Sequence, residues 1–329
     1  GEGIEMPHVR AAVGAAPGAR LQQGSALGAG VQASHETAAD PNRPPPIVWE
    51  TMRYAALLAL LSVLAAPKSP DVEAPGGVWC RLPPPKEGEW LADFPEKGQT
   101  FAEYKRSDPV RGSETRRRIY LRPWLTRPPT EADQIKRIAD LLAAWYGREV
   151  TVLDPQPIPR RAYESAKRRY RIPALAARLM ADLPEDALFV LAVTDRELAI
   201  ESLAHVYGWG SMKHRVGVMT THGMDLGPNR ELRQRRLLAL AVHETGHMLS
   251  LPHCVFYRCL MNGSRSPSES DDRPLILCPV CRAKVCWNLE LDPNPRYRAI
   301  IGALERAGLA RETRIFRRAA DVTQDQQTG

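Results

Sequence analysis

The stretch from His243 to Cys281 constrains the fold and chemistry of this chain more than any other part of it. It begins with the pattern HExxHxxxxxH, in which His243 and His247 stand four residues apart and His253 follows. On a helix the first two histidines share one face, so both imidazoles can reach one metal ion. The helix must then end so that His253 can return as a third ligand. Three protein ligands with a fourth position open are typical of a catalytic zinc site.

Glu244 directly follows the first of these histidines. It projects beside the metal and not onto it, which is the position of a general base that takes a proton from water at the metal. A lone HExxH also occurs by chance in ordinary helices, so an ordinary helix is the alternative for this part of the pattern. A third histidine at this spacing favours the metal site.

Two pairs of cysteines follow, and the second pair is a CxxC. Four thiolates at such spacing form a closed tetrahedral zinc site that stabilises a fold and does no chemistry. Disulfide bonds are the alternative, but a CxxC directly downstream of a metal helix favours zinc. The predicted ligands of this structural zinc are Cys254, Cys259, Cys278 and Cys281. The two patterns together predict two Zn²⁺ ions per chain.

At this point the chain resembles a known family, the archaemetzincins, which are metzincin-like zinc metallopeptidases. The family pattern reads HExxHxxGxxHC, four residues, C, one residue, M, a spacer and CxxC, and each of its histidines, cysteines and the glutamate is matched here. Met261 matches the methionine, where a turn under the catalytic metal is expected to supply an apolar floor. Other blocks, among them GEWLADFPEKGQTFAEYKRS and HVYGWGSMKHRVGVMTT, extend the resemblance over roughly residues 85 to 305.

The resemblance implies a compact metzincin-like α/β sandwich with a mixed twisted sheet, a zinc-binding active-site helix and a second, structural zinc site. It implies a zinc metallopeptidase that hydrolyses peptide bonds, with Glu244 activating water. Aminopeptidase-like activity is associated with only some members of the family. The alternative is a zinc-binding, peptide-binding protein with little or no turnover, because the sequence reveals neither an acidic subsite for a terminal amine nor a deep specificity pocket. We expect a peptide or protein substrate and a monomeric chain.

Two departures from the family pattern stand out. Ser250 occupies the position of a glycine that ends the helix and commonly takes a left-handed conformation, which costs another residue roughly 1–2 kcal/mol. We expect its hydroxyl to bond the frayed helix end, with a small loss of rigidity and no loss of metal. The spacer before Cys278 is about one residue shorter than usual, and its polar run SRSPSESDDRP predicts a surface loop that tolerates length changes.

The remaining pattern predicts one catalytic domain over residues 85–306. Apolar residues recur at helical spacing between Thr130 and Tyr146, and LFVLAVTD over 188–195 is a continuous apolar run of central-strand type. Alternating strands and helices that end in a metal helix predict an α/β sandwich with a mixed sheet. The other predicted strands cover 117–121, 150–154 and 215–221, and the other predicted helices cover about 173–182 and a segment from 230 into HETGH.

The resemblance also assigns a substrate rim. In metzincin-like enzymes the strand just before the active-site helix forms the upper rim of the cleft, and substrate backbone pairs with its free edge. We assign this rim to about Arg215–Thr221, flanked by His214 and His222. The simpler interpretation of these two histidines is that they are ordinary polar residues at the ends of a strand.

The N-terminal part of the sequence has a different character. Residues 1–51 are rich in Ala, Gly, Pro and Gln without periodicity, which is typical of a disordered segment or of translated upstream sequence. Residues 52–66 form a short apolar run behind one arginine and predict a signal peptide cut behind Ala65; a hydrophobic core helix is the alternative. We therefore expect a secreted or periplasmic protein, with a cytoplasmic one as the alternative, and no membrane anchor. Residues 67–84 are predicted as a linker and 307–329 as a C-terminal tail.

The net charge and the two remaining cysteines constrain the function of the chain less than the metal motifs do. The net charge of +7 raises nucleic-acid binding as a hypothesis. The arginines are dispersed and not gathered with aromatic residues in a recognised module, so we expect no nucleic-acid partner.

Cys80 and Cys286 remain after the predicted zinc ligands are assigned. An oxidising compartment would let them form a disulfide, and two unpaired thiols are the alternative.

Overall fold

A computed structural model describes residues 11–13, 77–125, 128–200, 203–224 and 229–328 of the chain. The predicted signal peptide over 52–66 lies outside the described residues, as does all of the predicted disordered segment except 11–13. No helix of the described ranges is both long enough and apolar enough to cross a membrane.

A mixed sheet forms the frame of the fold. Its strands are β1 (Ala11–Val13), β2 (Arg118–Trp124), β3 (Val150–Val152), β4 (Tyr163–Glu164), β5 (Arg169–Arg171), β6 (Ala187–Thr194), β7 (Leu198–Ile200), β8 (Leu203–Gly210) and β9 (Val216–Thr220). They lie in the order β3-β2-β6-β9-β8-β7-β5-β4, and β1 pairs with β8 off this path. Strands β3, β2, β6 and β9 are parallel, whereas β8 is antiparallel to β9. All eight residues of β6 are buried, as the continuous apolar run predicts.

Helices cover both faces of this sheet. They are α1 (Trp90–Asp93), α2 (Phe101–Arg106), α3 (Pro128–Tyr146), α4 (Ile172–Ala181), α5 (Arg230–Met248), α6 (Pro267–Asp271), α7 (Pro279–Leu289), α8 (Pro293–Arg306) and α9 (Ala310–Thr328). Helix α5 packs against β8 and β9 and against α3, whose apolar residues at helical spacing are buried as predicted. Helix α4 packs on β9 and β7 around a separate core. The predicted α/β class with a mixed sheet is confirmed.

The rim assignment is wrong. Strand β9, within the predicted Arg215–Thr221, pairs with β6 on one side and β8 on the other, so neither of its edges is free. Strand β8 is antiparallel to β9 and lies over the active-site helix. The sequence analysis did not predict this strand. The physical reason is that a sequence pattern identifies strands without their order in the sheet, and only the order shows which strand edges are already paired.

Both predicted flanking segments pack against the domain more than expected. In the predicted linker, Trp79 is buried and its indole Nε1 donates a hydrogen bond to the Leu277 carbonyl at 3.0 Å. The predicted C-terminal tail contains α9, which packs on α8 and buries Phe316 and Ala319. The C-terminal helix completes the core because Phe316 packs against Trp145 of α3 and Tyr297 of α8, which would otherwise face water.

Candidate active site

Helix α5 carries the first half of the metal pattern. It begins at a cap, where the Asn229 side chain accepts a hydrogen bond from the Leu232 N–H at 3.1 Å. From Leu237 to Met248 every side chain is buried, so the catalytic pattern lies inside the protein and not on its surface. The chain leaves the helix through Ser250, whose φ of +62° is left-handed, as expected for the family glycine position. This reversal brings the following residues back towards the helix.

The three predicted histidine ligands come together. His243 Nε2 and His247 Nε2 are 3.1 Å apart, and the ring of His253 lies 5.4 Å and 5.0 Å from those two rings. One nitrogen from each ring falls within 4.8 Å of the others. All three side chains are buried, and burial lowers the pKa of His243 to about 3. This imidazole is therefore neutral at physiological pH, as a metal ligand must be.

Each of the three rings is oriented through its other nitrogen. His243 Nδ1 lies 2.9 Å from the Leu260 carbonyl, and His247 Nδ1 lies 2.7 Å from the Leu251 carbonyl. His253 Nδ1 lies 2.7 Å from a carboxylate oxygen of Glu96. Because these oxygens only accept, each Nδ1 carries the proton and each Nε2 presents a lone pair. His253 Nε2 is buried without a hydrogen-bond partner among the described residues. Its lone pair is therefore available to a metal ion such as zinc.

Glu96 is a residue that the sequence analysis missed. It belongs to the block GEWLADFPEKG, which carries the resemblance, but nothing in its spacing links it to a histidine 157 residues further along the chain. Its Oε1 also accepts a hydrogen bond from the Trp90 indole N–H at 2.8 Å. The only sequence signal that could have identified it is its position in a block shared with the family.

Glu244 lies where helix α5 meets β8. A Cβ atom at Gly208 would stand 2.6 Å from Glu244 Oε1, and one at Gly210 would stand 2.1 Å from the Glu244 carbonyl oxygen. Both distances are shorter than any normal contact, so β8 reaches the catalytic glutamate only because it has glycine at these positions. Burial raises the pKa of Glu244 well above its usual range, and the backbone N–H of Gly210 offsets part of this rise.

The edge of β8 above the helix carries a β-bulge. In its pairing with β1, Gly208 stands opposite Ala12 and Val206 opposite Val13, so Tyr207 is the extra residue. A bulge re-aims side chains, and Tyr207 here lines a small pocket beside His243. The pocket has a volume of about 50 Å³. His243 is itself one of the residues that line this pocket.

Acidic partners neutralise the arginines of this pocket. Arg236 Nε donates to Asp271 Oδ1 at 2.9 Å, and Arg235 Nε donates to Glu312 Oε1 at 2.8 Å. Asp271 belongs to α6, which lies in the spacer that the sequence analysis predicted as a surface loop. The spacer is thus held against α5 by ion pairs and is mostly half-buried.

Met261 lies beneath the active-site helix. It is fully buried, and a Cβ atom at Gly246 would stand 2.6 Å from its sulfur. The Met261 carbonyl accepts a hydrogen bond from the Cys254 N–H at 2.8 Å. The structure therefore places an apolar floor at the position that the sequence analysis assigned to this methionine.

The four predicted cysteine ligands also cluster. Cys254 Sγ and Cys278 Sγ are 3.6 Å apart, well beyond a disulfide bond length of about 2.05 Å, and all four thiols are buried and unbridged. Backbone N–H groups point at the sulfurs, with the Cys278 N–H 3.2 Å from Cys259 Sγ. Hydrogen bonding from Cys259 lowers the pKa of Cys254, whereas burial raises the pKa of Cys278. A cation bound among the four sulfurs would stabilise their thiolate forms in this buried space, which fits a closed zinc site.

The other candidate residues stand apart from both clusters. His214 and His222 are exposed and belong to neither group of metal-ligand atoms in the described part of the chain. Cys80 and Cys286 are unbridged.

Several known proteins are similar to this chain. The model of Peptidase family M54 matches residues 162–286. An archaemetzincin of Haloarcula marismortui is 32% identical over 164 residues, which cover 46% of this chain and 92% of that protein. Archaemetzincin-2 of Homo sapiens is 28% identical over 257 residues, or 65% of this chain and 71% of that protein. The crystal structure of an archaemetzincin from Methanopyrus kandleri is 26% identical with a TM-score of 0.48, covering 54% of this chain and 98% of that one.

Proposed function

This chain belongs to the archaemetzincin family of zinc metallopeptidases, and from that premise we propose that its three clustered histidines hold the catalytic zinc ion and that Glu244 is the general base. The observation that carries the proposal is the orientation of the imidazoles. Each Nδ1 is held by an oxygen acceptor, so each Nε2 is turned towards a common centre. Oxygen partners of this kind fix the tautomer and orientation of metal-binding histidines throughout zinc enzymes.

Zinc bound there supplies Lewis acidity, because it acidifies water and polarises the scissile carbonyl. Glu244 takes the proton as water attacks that carbonyl and then passes it to the leaving amine. Burial raises the pKa of Glu244, which makes its carboxylate a stronger base towards water. The neighbouring glycines of β8 let the backbone of this strand approach the carboxylate closely.

We infer that substrate backbone pairs with the edge of β8 at Val206–Trp209. This edge is the part of the sheet directly beside Glu244, since Gly208 stands within contact distance of its carboxylate. Strand β1 takes the same edge in this structure, pairing antiparallel with Val206, Gly208 and Trp209. A substrate strand and β1 therefore compete for one set of backbone hydrogen bonds.

We also infer that the four cysteines hold a second zinc ion, so that the chain carries two. The support is the buried cluster of four thiols, whose sulfur atoms all lie within 4.8 Å of one another. His253 and Cys254 are adjacent in sequence, so the cysteine site fixes the position of the third histidine ligand.

The decisive test is Glu244→Gln in the zinc-loaded protein. The variant should keep its zinc content and fold but lose at least about 100-fold in kcat, because a positioned acid–base group contributes roughly 10²- to 10⁴-fold. Glu231→Gln, on the exposed first turn of α5, is the matched control and should keep full activity. A peptide library with free and blocked N-termini separates aminopeptidase from endopeptidase activity in the same assay. Full activity in Glu244→Gln would refute the assigned base, and absence of turnover in the wild type would favour the binding-protein alternative.

A further inference from the structure

The segment over residues 77–117, directly before β2, reaches the histidine cluster through Glu96. Glu96 lies in this segment, between α1 and α2, and its side chain is only 10% exposed. Its Oε1 stands 2.7 Å from His253 Nδ1. The segment lies outside residues 162–286, which the family model matches. A contact to a predicted metal ligand thus comes from a part of the chain outside the matched region.

Several contacts hold Glu96 in this position. The Trp90 indole N–H donates to the same Oε1 at 2.8 Å, and the Trp90 ring stands edge-on to the His253 ring at 5.2 Å and 83°. Trp90 is itself fixed, because its backbone N–H donates to Glu269 Oε1 at 3.1 Å. A Cβ atom at Gly263 would stand 2.4 Å from this indole, so the ring fits only against a glycine. The carboxylate and the imidazole therefore meet in one fixed geometry.

Glu96 cannot itself be a ligand of a metal bound at His253 Nε2. The contact is made at Nδ1, on the other side of the imidazole, and His253 Nε2 has no hydrogen-bond partner in the described ranges. A carboxylate at Nδ1 differs from the backbone carbonyls that face His243 and His247 because it carries a full negative charge. Such a charge makes the imidazole a stronger donor and offsets part of the charge of a divalent cation.

We propose that Glu96 is a positioning residue for the catalytic zinc, which tightens zinc binding through His253. This inference rests on the proposed zinc site of the three histidines. It adds that the segment before β2, outside the region matched by the family model, is part of the metal centre. Loss of a carboxylate partner of this kind typically weakens metal binding about 10- to 100-fold.

The test measures zinc affinity and not only activity. Mild chelation first removes only the metal of the histidine site. The site is then titrated with zinc against a competing chelator for wild type, Glu96→Gln and Glu96→Ala. Glu96→Ala should bind the catalytic zinc about 10- to 100-fold more weakly, and Glu96→Gln, which keeps an oxygen acceptor without the charge, should fall between the two. The matched control is Glu87→Gln, an exposed glutamate of the same segment, which should titrate like wild type.

Cobalt substitution gives a second readout. The visible absorption of Co²⁺ at the histidine site reports the ligand field, so Glu96→Gln should shift the bands while Glu87→Gln leaves them in place. Retention of the cysteine-bound metal in each variant shows that the fold is intact. Equal zinc affinity and an unchanged cobalt spectrum in Glu96→Gln would overturn the proposal. The His247→Ala variant separates the two proposals. If it contains as much metal as wild type, the proposed histidine zinc site is refuted, and not only the role of Glu96.

Discussion

Ser250 offers a quantitative test of how this helix end is stabilised. Its φ of +62° is unfavourable for serine, yet its hydroxyl donates to the Met212 carbonyl at 2.7 Å and accepts from the Val110 N–H at 2.9 Å. We expected the hydroxyl to bond the frayed helix end. The hydroxyl instead joins two separate loops. Ser250→Ala removes both hydrogen bonds and keeps the strain, whereas Ser250→Gly removes both and relieves it.

The magnitudes separate the two variants. Each hydrogen bond contributes about 0.5–1.5 kcal/mol, so Ser250→Ala should lower the free energy of unfolding by about 2 kcal/mol. Glycine at positive φ removes about 1–2 kcal/mol of conformational strain. The free energy of unfolding of Ser250→Gly should therefore lie within about 1 kcal/mol of wild type. For a domain of this size each kcal/mol shifts Tm by roughly 2–4 °C.

Thermal unfolding of the three proteins at saturating zinc tests this reasoning, with metal content measured on the same samples. Ser250→Ala should melt lowest, Ser250→Gly should follow, and wild type should be equal to or slightly above the glycine variant. All three should keep their zinc, since the serine contacts no histidine nitrogen. If Ser250→Ala melts at or above Ser250→Gly, strain at this position is negligible; if it melts like wild type, the two loop hydrogen bonds contribute nothing.

Four further outcomes follow from the same geometry. Elemental analysis should find two zinc ions per chain, and mild chelation should remove only the one at the histidines, because the cysteine site is closed. Cys281→Ser should unfold or aggregate in a solubility assay, because structural zinc binding is coupled to folding; a soluble, active variant would show that this zinc is dispensable. Removal of residues 1–15 should raise kcat/KM in a peptide assay by freeing the edge of β8, and an unchanged value would show that β1 does not compete. A chain translated from Met52 should be cut behind Ala65 in a host that exports it, which N-terminal sequencing of the product would show or refute.

Local patterns predicted much of the site. The ligands on α5 are four residues apart on one helix, and the cysteine pairs are short motifs, so their spacing alone brings them together. The apolar run of β6 and the helical spacing in α3 were equally local signals. Each depends on neighbours within one element, where sequence distance and spatial distance agree.

The features that escaped prediction depend on contacts across the fold. Strand β8 contains Gly208 and Gly210, which weaken its strand pattern, yet both glycines are required by the approach of Glu244. Glu96 meets His253 across 157 residues of chain, and no periodicity reports such a pairing. Helix α9 is largely polar, and its place in the core depends on a few residues such as Phe316, so composition alone indicated a tail.

The cysteine cluster has a consequence for how the family can diversify. Cys259 and Cys278 fix the two ends of one chain segment, and between them lie α6 and a wall of the pocket beside His243. A segment whose ends are pinned can change in length and composition without moving its anchors, because the cost of altering a closed loop grows slowly with its length. The shorter spacer of this chain is one such change. Residues of this segment that line the pocket can therefore change, while the three histidines, all of which precede Cys259, keep their positions.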